Sequence, residues 1–96
     1  MRRTFIVTYD ISDPRRLRKV FQILRGYGDH LQLSVFRCEL VATEKVLLEA
    51  KLREAIHHGE DQVLLVDLGV ADGRAGCAIH SLGRPCPSPE RTAIVV

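Results

Sequence analysis

Two carboxylates, Asp10 and Asp13, stand three residues apart in the stretch YDISDP. They lie at the seam between an apolar run, Phe5-Ile6-Val7, and a basic run, Arg15-Arg16-Leu17-Arg18-Lys19. Their types allow two chemistries. An Asp accepts hydrogen bonds from the free N–H groups of a helix's first turn, and Pro suits the first helical position. Asp13-Pro14 therefore reads as helix punctuation. Asp10 has no such role. It falls at the end of a β-prone segment, where Asp is depleted. There it shares a strand face with Ile6 and Thr8, while Phe5, Val7 and Tyr9 share the other. A carboxylate in that place is either the edge of a loop or an oxygen ligand for a hard cation such as Mg²⁺ or Mn²⁺. One carboxylate per chain makes a poor metal site, whereas two copies joined by a twofold axis can share an ion.

The remaining polar residues carry weaker signals. Arg15, Arg16, Arg18 and Lys19 can contact phosphates or simply cover a solvated helix face. His57-His58 close a helix, where imidazole suits the negative end of the dipole. Cys77, His80 and Cys86 have a loose ligand-like spacing but lack the fourth ligand of a closed zinc site. No phosphate-binding glycine loop, dinucleotide fingerprint or nucleophile elbow occurs. Aromatic residues make up only 5% of the chain, which disfavours binding by base stacking.

The elements that must position these residues follow from pattern. Residues 4–11 read as a strand. Leu17, Val20, Phe21 and Leu24 mark an amphipathic helix after Asp13, ended by Gly26 and Gly28. Residues 31–41, LQLSVFRCELV, read as one long second strand. Thr43 caps a second helix over about 44–58, with Leu48, Leu52, Ala55 and Ile56 inward and Glu44, Lys45, Glu49, Lys51, Arg53 and Glu54 outward. Residues 62–68 form a third strand and residues 77–82 a short fourth. Residues 83–90 are a proline-rich connector, and residues 91–96, RTAIVV, are a terminal strand suited to the edge of another sheet. The predicted class is α+β, a ferredoxin-like split βαβ sandwich with an extra C-terminal strand. Residues 1–82 form the domain, and residues 83–96 the connector and strand.

A chain of 96 residues holds one core. With 46% apolar and 27% charged residues it reads as globular. No apolar run reaches membrane-spanning length and none resembles a signal peptide, so a cytoplasmic protein is expected. Three cysteines without close spacing suit reduced thiols. The net charge of +2 hides an asymmetry: residues 1–37 carry eight Lys/Arg against three Asp/Glu, the remainder six against nine. A locally basic face can attract phosphate under a small total charge.

YDISDPRRLRKVFQILRGYG followed by LQLSVFRCEL resembles the CRISPR-associated protein 2 family. The residues that carry the likeness are Tyr9-Asp10, the capped basic helix with its following glycine, and Gln32-Leu33-Ser34-Val35-Phe36. The resemblance implies a ferredoxin-like fold and a homodimer in which the C-terminal strand packs on the partner's sheet. It implies that the Asp10 copies face each other with Mg²⁺ between them and that the protein is a metal-dependent nuclease on RNA or DNA. It also implies a partnership with CRISPR-associated protein 1, the integrase, in inserting new spacer DNA. There the small dimer is a scaffold holding the DNA backbone. Arg37 departs from the pattern, since relatives often carry an acidic residue after Val-Phe. A small-molecule-binding regulatory domain of the same fold is the competing expectation.

Overall fold

The computed structural model describes residues 1–71 and 78–86. Six elements follow in the order β1 (Arg3–Asp10), α1 (Pro14–Arg25), β2 (Gly28–Gln32), β3 (Val35–Leu40), α2 (Ala42–Ala55) and β4 (Gln62–Val70). The sheet order is β2-β3-β1-β4, antiparallel throughout. Two helices on one face of a four-stranded antiparallel sheet make the ferredoxin-like split βαβ arrangement.

The alternation of β1 builds the core. Phe5, Val7 and Tyr9 turn inward and are at most 5% exposed, and they meet Phe36, Cys38 and Leu40 of β3. Val20 and Leu24 of α1, with Leu48 and Leu52 of α2, close the layer from above. Ile6 and Thr8 fall on the opposite, helix-free face, where Leu64 and Val66 of β4 remain about half exposed at 49% and 47%.

Three expectations about elements change. The long second strand is a hairpin, broken at Leu33-Ser34. Ser34 is the one turn-favouring residue type in LQLSVF, a weak signal. The break is held from outside: the Tyr9 hydroxyl donates to the Leu33 carbonyl at 3.1 Å, and the Tyr9 N–H donates to the Ser34 carbonyl at 3.1 Å. The fourth strand is therefore supplied here and not by residues 77–82; within that stretch residues 78–82 form no strand, and Cys77 lies outside the described residues. The second helix starts at Ala42, one residue before Thr43. Its cap position is Val41, whose N–H is taken by the Glu44 carboxylate at 2.9 Å, so a side chain inside the helix replaces the expected threonine. The terminal strand expected over residues 91–96 lies outside the described residues.

β4 runs two residues further than its pattern suggests. It passes through a bulge between the pairs Thr4↔Gly69 and Phe5↔Asp67. Gly69 sits there at φ +99°, a conformation that glycine adopts without steric cost.

Candidate metal and nucleic-acid site

Asp13 caps α1 as read. Its carboxylate accepts from the N–H groups of Arg15 and Arg16 at 3.0 Å each, and Pro14 occupies the first helical position. Asp10 is the last residue of β1, opposite Gln62 of β4. Its side chain is exposed, and among the described residues its carboxylate takes no hydrogen bond or ion pair. The three residues Ile11, Ser12 and Asp13 bridge it to α1, so the carboxylate stands at the foot of the basic helix.

The four cations of that helix separate. Arg15, Arg18 and Lys19 are exposed and make no ion pair among the described residues. Arg16 is engaged by protein. Its Nε lies 2.7 Å from Asp61 Oδ2, and its Nη2 lies 3.2 Å from both Asp61 Oδ1 and Glu60 Oε1. The same Nη2 donates to Ser12 Oγ at 3.2 Å. Asp61, just before β4, completes its shell with the His57 N–H at 2.8 Å and the Ser12 N–H at 3.1 Å. Sequence reading missed this cluster because its partners are 45 residues apart, and no spacing rule links them.

The Arg16 guanidinium, with these N–H groups, holds the Asp61 carboxyl far below its ordinary 3.8. Backbone N–H donors also lower Asp67, through Gly69, and Glu44, through Val41. All three have depressed folded-state values, so each stabilises the fold above its ordinary value and loses that contribution as pH falls. Acid unfolding should accordingly set in below about pH 4. In Asp61→Asn the melting temperature should be lower than wild type at neutral pH, and the two should converge on acidification, as read by circular dichroism. A constant difference at all pH values would assign the loss to packing instead.

Arg37 has an answer in β2. It pairs in register with Asp29 and donates to its carboxylate at 3.2 Å, while only 4% exposed. Arg37 thus comes with a cross-strand counter-charge. Next to it, burial pushes the Cys38 thiol up to about 12, which leaves it an unreactive core group. The phenol of Tyr9 is also raised by burial, consistent with its role as a donor to the hairpin turn.

The two histidines lie in the turn after α2 and not within it. The His57 imidazole accepts from the Gly59 N–H, and His58 Nε2 lies 3.1 Å from the Arg53 carbonyl. His80 and Cys86 line an open cleft of about 870 Å³ over the helix-free sheet face, with Ile6, Leu31 and Val35 as its floor. Neither Asp10 nor the basic face lines it. Among the described residues no three His, Cys, Asp or Glu side chains come close enough to hold a metal. No described helix is long and apolar enough to cross a membrane.

Fold and site define a small ferredoxin-like protein with a lone carboxylate at the end of its first strand and a basic helix beside it. The chain belongs to the CRISPR associated protein Cas2 family, whose model matches residues 2–72. It is 39% identical over 92 residues to the CRISPR-associated endoribonuclease Cas2 1 of Rhodospirillum rubrum, covering 96% of this chain and 89% of that one. It is 38% identical to the CRISPR-associated endoribonuclease Cas2 of Geobacter sulfurreducens over 96 residues, the whole of both chains. The solved structure of a hypothetical protein from Thermus thermophilus superposes with a TM-score of 0.77 at 29% identity, covering 92% of this chain and all of that one. Cas2 of Streptococcus pyogenes, crystallised at pH 6.5, gives 0.71 at 27% identity, covering 83% and 99%.

Proposed function

We propose that this protein is a homodimeric nucleic-acid-binding scaffold of CRISPR adaptation, working with the integrase, and that it cleaves phosphodiester bonds when a divalent cation is bound. One observation carries the reading: an exposed carboxylate, Asp10, unengaged among the described residues, stands at the foot of a helix that presents Arg15, Arg18 and Lys19 to solvent. The names of the relatives, endoribonucleases, support the cleavage part.

Dimerisation is supported by the helix-free sheet face, where Leu64 and Val66 stay half exposed beside Ile6. Apolar residues left open on a sheet face gain by burial against a second copy. The donor chemistry at Asp10 fits Mg²⁺ or Mn²⁺, which takes oxygen ligands and keeps several waters. One chain offers one carboxylate, so the fit requires the partner's copy as well. When bound there, the cation neutralises charge at a phosphate and lowers the pKa of its water. Arg15, Arg18 and Lys19 hold the strand by its phosphates, which reads no sequence and suits a scaffold that accepts any spacer.

The salt dependence of binding tests the scaffold part. Charge reversal at Arg15, Arg18 and Lys19 should weaken duplex binding and flatten the plot of log affinity against log salt. The slope should fall by about 0.9 for each phosphate no longer neutralised. Arg16→Gln should leave the slope unchanged, because that guanidinium is committed to Asp61 and Glu60. An unchanged slope in the triple variant would remove the helix from the interface.

A further inference from the structure

The role given to Asp10 leaves Asp61 unused, although its carboxylate has no solvent exposure and is ion-paired. The hydrogen bonds it accepts come from three places. Arg16 reaches it from α1, and His57 from the turn before β4. Ser12 reaches it from the β1–α1 loop, by its N–H at 3.1 Å and by its hydroxyl at 3.3 Å. Ser12 is two residues beyond Asp10, and Gln62, next to Asp61, is Asp10's ladder partner. The segment carrying Asp10 is thus held on one side by the sheet and on the other by Asp61.

We propose that Asp61, acting through Ser12 and Arg16, is a positioning residue for the Asp10 carboxylate; this rests on the reading of Asp10 as the cation ligand. Only three residues separate Asp10 from α1, so a displacement of Ser12 passes directly into the end of β1. Twofold symmetry doubles the effect. If each Asp10 moves outward by some distance, the gap between the two carboxylates grows by twice that distance. Mg²⁺ demands near-ideal oxygen distances, so a shared site tolerates little of this. A carboxylate shielded from water and bonded to two backbone N–H groups is a stiff anchor for that purpose.

The test uses the dimeric protein with Asp61→Asn, Arg16→Gln and Asp10→Ala, at a temperature where circular dichroism shows each folded. Mn²⁺ affinity is read by electron paramagnetic resonance of the free ion, and cleavage of a short RNA is split into kcat and KM. Both Asp61→Asn and Arg16→Gln should lose about 10- to 100-fold in Mn²⁺ affinity, as supporting groups behind metal ligands typically do. kcat should fall with KM unchanged, and the Ser12 amide should exchange its hydrogen faster.

The pair of variants separates position from charge. Removing a negative charge alone would weaken cation binding and removing a positive charge alone would strengthen it, whereas lost positioning weakens both. Opposite effects, or wild-type affinity in a folded Asp61→Asn, overturn the inference. Should Asp61→Asn fail to fold, Arg16→Gln decides by the sign of its effect. If Asp10→Ala itself leaves Mn²⁺ affinity unchanged, the reading of Asp10 falls and this inference with it. The separate arms show which has failed.

Discussion

Asp10→Ala should reduce metal-dependent cleavage by about 100- to 1,000-fold, since a bound cation supplies several kcal/mol at a phosphate and each 1.36 kcal/mol is tenfold in rate. The variant should fold as wild type does and keep the same oligomeric state. Asp10 is exposed and supports no hydrogen bond or ion pair among the described residues, and such surface changes typically stay within about 0.5 kcal/mol. Its nucleic-acid affinity should hold or rise, because one negative charge leaves the foot of the basic helix. The measurement is cleavage of labelled single- and double-stranded RNA and DNA, with Mg²⁺, Mn²⁺ and EDTA arms, followed by spacer integration with the integrase present. Loss of cleavage with integration intact would separate the two activities on one residue. Equal cleavage by wild type and variant, or none by either, would leave Asp10 without a catalytic role and the basic face as the working surface.

The sequence was most legible where a residue's role is decided by its neighbours in the chain. Asp13-Pro14 is a local device and appears as read. The alternation of Phe5, Val7 and Tyr9 against Ile6, Thr8 and Asp10 is equally local, and it assigned both faces of β1 correctly. The misread pieces share one physical feature: a distant partner decides them. The Leu33-Ser34 turn contains no Gly, Pro or Asn, and Tyr9, more than twenty residues away, holds it by two hydrogen bonds. Thr43 is a better cap by type than Val41, yet Glu44 satisfies the Val41 N–H while Arg2, also remote in sequence, braces the Glu44 carboxylate at 2.8 Å. Arg16 is indistinguishable by type and spacing from Arg15 and Arg18. Only the return of the chain at Asp61 shows that its guanidinium is ion-paired within the protein. Spacing rules describe one element at a time, so they find caps and stripes and miss clamps between elements.

Gly28 shows the same lesson with the largest structural effect. By pattern it reads as a second helix stop after Gly26, yet it opens β2 directly opposite Cys38 of β3. A Cβ at position 28 would lie 2.6 Å from Cys38 Sγ, and it would run into the Arg37 carbonyl as well. The carbonyl is backbone held in a ladder and cannot swing aside, so β2 must move away from β3. Gly28→Ala should therefore cost about 1–3 kcal/mol or more, as overpacking typically does. For a domain of this size each kcal/mol lowers the melting temperature by about 4–8 °C. Gly26→Ala is the control. Among the described residues its Cβ would meet the Ile23 carbonyl alone, at 3.3 Å, a close contact relieved by a shift of a few tenths of an ångström, at an ordinary φ of −77°, and the melting temperature should change far less than in Gly28→Ala. Combining Gly28→Ala with Cys38→Ala should not restore stability, because removing the sulfur leaves the carbonyl in place and opens space in the core. Rescue by that double variant would mean that the thiol alone sets the close approach. Equal effects at Gly26 and Gly28 would return both glycines to the role of helix stops.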